Sequence, residues 1–369
     1  MMKSSIDVEE LKDNFWEKDF KSRVTKWIDK INESTNMKTL FLEMSKILNS
    51  DTTIVLSDLD DNFLKVIIKK LVCVEKCDMD KLIKKLEREV SGEKENKKIK
   101  YIGDLSFEDN SDEISNFFLD EYSSLSSRVF ITDYIRQNFT VCPYCNATYL
   151  FDLKQRSARG GSESNDYFAD QLDHYHPKGK YPYLAMSIFN LIPSCPTCNH
   201  IKGSKENHLH PYTEEMGDNA KFTLSMSCLG ELEGINFETE KEYRNIMEVL
   251  DPPTELNFDL EEGFSKRVEL KIKKDIDDDL KDRIENSEEI FQLENKYSGV
   301  REEIRDLYFK YKLLNQSQRE ETLSQFGDSL GITAEEMEEV YYGARKEHKH
   351  KRPLSKFIND IRDFLKNED

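Results

Sequence analysis

Cys142-Pro-Tyr-Cys145 and Cys195-Pro-Thr-Cys198-Asn199 contain two Cys-x-x-Cys knuckles, and the 49 residues between the pairs include Leu172-Asp173-His174. Each knuckle can present two thiolates to one side of a tight turn. Together Cys142, Cys145, Cys195 and Cys198 offer the four soft ligands of a closed, structural Zn²⁺ site. Zinc would then be a staple, with the chemistry of Asp173, His174 and Asn199 beside it. Redox pairing of the same cysteines is the weaker alternative, because two matching knuckles favour a metal.

Working outward, 369 residues without an internal repeat suit two or three cores. No run of about 18 apolar residues occurs, and the first twelve residues lack an apolar secretory core. The expectation is a cytoplasmic protein with no membrane partner. Seven cysteines fit a reducing compartment. Four have metal-ligand spacing and Cys228 stands apart. Cys73 and Cys77, four residues apart, are read as lining one apolar helix face rather than extending a metal site.

The formal charge of −19 argues against a general polyanion binder. Its distribution softens that exclusion. Between Cys142 and Tyr212 there are seven Lys/Arg against six Asp/Glu, which leaves 47 basic and 67 acidic side chains elsewhere. The negative field therefore comes from the flanks, which repel free duplex unless a basic groove or partner offsets them.

Periodicity divides the chain into a helical region at 1–128, a central domain at 129–215 and a mainly helical region at 216–369 with a short β segment near 222–239. In the first, Phe15, Trp16, Phe20, Val24, Trp27, Ile28 and Ile31 recur at helical spacing, as do Leu40, Phe41, Met44, Ile47 and Leu48. Charged 91–100 reads as a solvated loop, and 129–139 as a helix leading into the first knuckle. Residues 148–153 and 167–174 read as two strands around a Ser/Gly/Arg loop at 155–165. A short helix or turn is expected at 183–189, and a helix close to Asn199. After residue 240 the pattern is helical, and Thr333-Ala-Glu-Glu336 is a capping box. The basic end of that helix reads first as a solvated terminus, with phosphate contact as the alternative, and the spacing of His348 and His350 allows a metal that their context disfavours.

Gln171-Leu-Asp-His-Tyr-His-Pro-Lys178, Tyr181-Pro-Tyr-Leu184, Asn190-Leu-Ile-Pro-Ser-Cys195 and Cys198-Asn-His-Ile-Lys-Gly203 together resemble the HNH endonuclease family, in its variety braced by two Cys-x-x-Cys pairs. The likeness covers about 129–212. It implies an α+β fold in which a small ββα-metal finger with a four-cysteine zinc site is embedded between mainly α-helical regions. It also implies phosphodiester hydrolysis.

The residues suit that chemistry. Hydrolysis of a phosphodiester needs an activated water and neutralisation of charge on phosphorus and leaving oxygen, which an imidazole and a Mg²⁺ or Mn²⁺ ion supply. His174 is the expected general base. The resemblance assigns Asp173 and Asn199 to the divalent ion and Asn190 to orienting the imidazole. His200 remains an alternative to Asn199. Asp173 and His174 are strand neighbours, so sharing one direction requires a bend or bulge there. Lys202, one turn past Asn199, and His176, two past His174, are candidates for substrate phosphate. Lys202 reads equally as a surface lysine, and His176 also reads as a reserve base or as fixing its loop. His208 and His210 could form a mixed ligand set, but two closely spaced histidines in a loop are read first as surface residues.

The resemblance further implies DNA as the substrate, a role in restriction or anti-phage defence, an ATPase or other defence partner, and room for oligomerisation. RNA such as tRNA is the rival polymer. A non-catalytic, zinc-braced nucleic-acid-binding module or scaffold is the rival class.

Overall fold

Apolar stripes at helical spacing assemble the N-terminal part of the chain. A computed structural model describes residues 7–86, 88–89, 100–102, 105–106, 111–126, 139–150, 152–154, 166–168, 171–224, 268–313 and 351–367, with isolated positions between 321 and 342. These residues are mostly helical with small antiparallel sheets, so the fold is α+β. Contacts gather them into two compact units, one from 4–139 and 150–206, the other from 140–149 and 207–369. That grouping cuts across the three consecutive segments read from the sequence. The N-terminal helices share a unit with Asp173 and His174.

In that unit, Asp7 accepts from the Glu9 and Glu10 amides and starts α1 (Val8–Asn14), which continues through further helical turns into α2 (Val24–Glu33). Ser34 ends α2 and caps α3 (Thr35–Asn49) by accepting from the Met37 amide. Asp60 likewise caps α4 (Asp61–Val72), and α5 (Lys76–Leu86) follows. Trp27 is fully buried, edge-on to Phe20 at 4.9 Å and to Phe117 of α6 (Ser111–Ser126) at 4.8 Å. Truncating so large a buried ring typically costs about 3–5 kcal/mol. Cys73 is buried at the C-cap of α4 while Cys77 is exposed in α5. The expected shared face is therefore absent, because the helix ends between them.

Strands β1 (Arg88–Glu89), β2 (Lys100–Ile102) and β3 (Leu105–Ser106) form one antiparallel sheet, and β4 (Asp152–Lys154) pairs with β5 (Asp166–Phe168). The strand carrying Asp173 and His174, β6 (Gln171–His174), pairs with β7 (Leu191–Ser194) and not with 148–153 as the sequence suggested. Pro193, opposite Leu172, hid β7, since proline cannot donate to a ladder and counts against a strand. Only Cys195 separates β7 from α7 (Pro196–Lys202), which lies against β6.

In the other unit, β8 (Ala220–Leu224) pairs with β9 (Val268–Ile272), a strand within the stretch read as helical. Helices α8 (Asp278–Phe291), α9 (Leu293–Ser298), α10 (Arg301–Leu313) and α11 (Ser355–Asn367) follow. Tyr297 centres the core, 4.6 Å from Phe222 and 5.0 Å from Phe357. His208 and His210 are fully buried, the former against Tyr144 and Phe291, which corrects their reading as surface residues. Thr333 and Glu336 bond reciprocally as a capping box requires. The helix expected at 129–139 except Phe139, the loops at 91–99 and 155–165, Cys228, His348 and His350 lie outside the described residues.

Candidate metal centre and hydrolytic site

Both knuckles are built by short-range hydrogen bonds. The Cys142 amide donates to the Thr148 carbonyl at 2.9 Å, and the Asn146 amide donates back to Cys142 at 2.8 Å. Asn146 adopts a left-handed φ of 49°, which asparagine tolerates, and its Oδ1 accepts from the Lys356 amide at 3.2 Å. Cys195 is the N-cap of α7, its sulfur accepting from the Cys198 amide at 3.4 Å. The four sulfurs of Cys142, Cys145, Cys195 and Cys198 lie within 4.8 Å of one another and all four residues are buried. Tetrahedral Zn–S bonds of about 2.3 Å put sulfurs roughly 3.8 Å apart, so a small contraction would close the set. The cluster could bind a metal such as zinc.

The strand β6 meets α7 through two polar pairs. Gln171 and Asp173 point to one face of the strand, and Asn199 and Lys202 to one face of the helix. Asn199 donates from Nδ2 to Gln171 Oε1 at 2.6 Å, and the Lys202 ammonium lies 3.0 Å from Asp173 Oδ2 and 3.2 Å from Oδ1. Lys202 also donates to the His174 carbonyl at 2.7 Å and is wholly buried. It is therefore not a surface lysine. Desolvation lowers its pKa, against the opposing pull of Asp173.

His174 leaves the other face of β6. The ladder pairs Asp173 with Ile192 and His174 with Leu191 one for one, so no extra residue is inserted and, of the two alternatives of bend or bulge, the bulge is excluded. The His174 Nε2 lies 3.2 Å from the Ala185 carbonyl. A carbonyl only accepts, so Nε2 carries the proton and Nδ1 keeps the lone pair. Burial, then the charge of Lys178, pushes the His174 pKa down to about 3, against the Ala185 hydrogen bond. The imidazole is thus neutral throughout the physiological range.

Asn190 is fully buried and ties the intervening loop. Its Nδ2 donates to the carbonyls of Leu184 at 3.0 Å and His176 at 3.1 Å, and its Oδ1 accepts from the His176 amide at 2.7 Å. It reaches His174 through this backbone. His176 is 7 % exposed, with Nε2 3.4 Å from Asp80 and Nδ1 3.6 Å from Glu206. Desolvation opposes its charge, but the two carboxylates win and raise its pKa. Burial alone would raise Asp80 and Glu206, yet both fall to about 2, drawn down by His176 and by Lys76 and Lys180 respectively. An imidazole held between two carboxylates in this way is an anchor for its loop.

The chain matches no protein-family model, no curated protein and no solved structure. Tyr122 of α6, whose ring centre lies 4.5 Å from that of His174, belongs to the site and was not singled out from the sequence. Its place four residues after Phe118 marks it only as a core aromatic. Asp80, Gln171 and Glu206 were equally silent, because isolated carboxylates and amides acquire meaning only through their partners. His200, the alternative to Asn199, is exposed. No described helix is long and apolar enough to cross a membrane.

Proposed function

We propose that the chain is a metal-dependent endonuclease of the HNH type that hydrolyses DNA phosphodiester bonds. The observation that supports this reading is that β6 packs between β7 and α7 and carries both Asp173 and His174, on its two opposite faces. Asp173 meets Lys202 of α7, Asn199 meets Gln171 of β6, and His174 is neutral with Nδ1 as its lone-pair nitrogen. In this reading Nδ1 of His174 takes the proton from the attacking water, and the Ala185 carbonyl holds the ring in the required tautomer. Asn190 fixes the loop bearing Ala185 and so positions the base.

In this reading Asp173 and Asn199 would hold a hard divalent ion. Asn199 donates one amide proton to Gln171 and has Oδ1 as an acceptor, and the Asp173 carboxylate has lone pairs beyond those directed at Lys202. Mg²⁺ or Mn²⁺ held there would supply charge neutralisation for phosphate and leaving oxygen. Zinc at the four cysteines would be structural. A role in anti-phage defence or restriction, beside a partner such as an ATPase, follows from the resemblance and is proposed on that basis.

Incubating wild-type and His174→Ala protein with plasmid, linear DNA and total RNA, in Mg²⁺, Mn²⁺ or EDTA, tests the reading. Cleavage of DNA that stops in EDTA and falls about 10²-fold or more in the variant is expected. Undiminished cleavage by His174→Ala would overturn the base assignment, and cleavage of RNA alone would reassign the substrate.

A further inference from the structure

The turn after His176 carries a lysine that the proposed reaction has not used. Lys178 is exposed, and its ammonium sits 4.5 Å from the ring centre of Tyr122, whose own centre is 4.5 Å from that of His174. These two distances put the ammonium no farther than 9.0 Å from the His174 ring centre. The backbone holds it there. The amides of Lys180 and Tyr181 both donate to the Pro177 carbonyl, at 2.9 and 2.8 Å, and His176 just before the turn is clamped by Asp80 and Glu206.

Neighbouring cations are already committed. Lys180 lies 2.6 Å from Glu206, and Lys202 is buried on Asp173. Among the described residues Lys178 has no carboxylate partner, and its ammonium rests on the Tyr122 ring instead. A partly desolvated ammonium on an aromatic face is short of anionic partners and oriented by the ring quadrupole. We infer that Lys178, supported by Tyr122, binds a phosphate of the nucleic-acid backbone adjoining the bond presented to His174. α6 is then a wall of the site, and substrate binding depends on a residue outside the β6–β7–α7 finger.

This rests on the proposed nuclease reading but can be tested apart from it. Binding of a short fluorescent DNA duplex to the zinc-loaded protein is measured by anisotropy without added Mg²⁺ or Mn²⁺ across a series of NaCl concentrations, for wild type, Lys178→Ala, Lys178→Arg, Tyr122→Phe and Tyr122→Leu. Removing one phosphate-neutralising cation lowers the slope of log K against log salt by about 0.9, and we expect Lys178→Ala to weaken binding about tenfold with that change. Arginine and phenylalanine should preserve both quantities, and Tyr122→Leu should mimic the alanine variant. Lys178 is exposed, so its alanine variant should keep the wild-type melting temperature. An unchanged slope in Lys178→Ala, or a wild type that binds no duplex, overturns the phosphate assignment even if wild type cuts DNA. A reduced slope without any wild-type cleavage in Mg²⁺ would instead retain that assignment and sink the nuclease reading.

Discussion

Replacing Lys202 by methionine isolates the pair that ties α7 to β6. The ammonium is wholly buried, 3.0 Å from Asp173 Oδ2 and 2.7 Å from the His174 carbonyl, and Asp173 is itself 5 % exposed. Methionine keeps an apolar stem of similar length while stranding a buried carboxylate and a buried carbonyl. Breaking one side of a buried ion pair costs about 3–5 kcal/mol, more than the pair itself contributes, because the remaining charge is left desolvated. A loss of about 4 kcal/mol, at a urea slope of about 3 kcal/mol per M for a unit of this size, lowers the unfolding midpoint by about 1.3 M. Trp16 and Trp27, the two tryptophans of the chain, lie in the same unit as Lys202, so their emission follows the relevant transition. Adding Asp173→Asn to Lys202→Met replaces the stranded charge by an amide and should return about 2 kcal/mol. A midpoint for Lys202→Met within about 0.3 M of wild type would refute the assignment of this ammonium as the tie, since that shift is under about 1 kcal/mol.

Cysteine replacement reports on the metal. Cys195→Ser should lose bound zinc and much of its soluble yield, because structural zinc binding is coupled to folding, and a folded wild type without zinc by elemental analysis would rule the centre out. The Asp80–His176–Glu206 cluster predicts a pH dependence. The raised His176 pKa gives stability that is complete below pH 6.5 and lost as pH rises through the folded value. Asp80 and Glu206, at about 2 instead of 3.8 and 4.5, stabilise above those ordinary values and lose that contribution as pH falls through about 2. The cluster therefore contributes most between about pH 4.5 and 6.5. Urea midpoints of His176→Gln should decline less on the alkaline side of that window, and an equally steep decline would exclude the imidazolium.

Local patterns with their own period or spacing were readable in the sequence. The buried stripe Val24, Trp27, Ile28 and Ile31 is a repeat of 3.6 residues, and the two knuckles announce themselves by spacing, their four sulfurs within 4.8 Å. Pairing was harder. β7 was masked by Pro193, whereas β9 carries a period-two alternation, Val268-Glu-Leu-Lys-Ile272, that is itself a strand signal but too short to stand out from a mainly helical region. Burial of polar residues was the least legible property. His208, His210 and Lys202 carry surface-type side chains, and only tertiary neighbours such as Phe291 and Asp173 explain why they are inside.

Charge counting meets the same limit, and here the structure changes the functional inference. The sequence assigns residues 142–212 a balance of +1, which by itself is too weak a field to draw a polyanion toward a chain of −19. Pairing redistributes that balance. Lys202 is spent on Asp173 inside the protein, and Lys180 on Glu206 near the clamp of His176, so neither is available at full charge to a phosphate. Their service is to the geometry of the proposed base and metal ligands. In the proposed reading, attraction of substrate would then fall to cations without such duties, among them Lys178, which stands beside His174 on the ring of Tyr122. A site of this kind would bind its polymer weakly in physiological salt, because a protein that neutralises few phosphates releases few counter-ions. Tight, selective engagement would have to come from surfaces other than the finger, or from a partner that supplies the missing positive field.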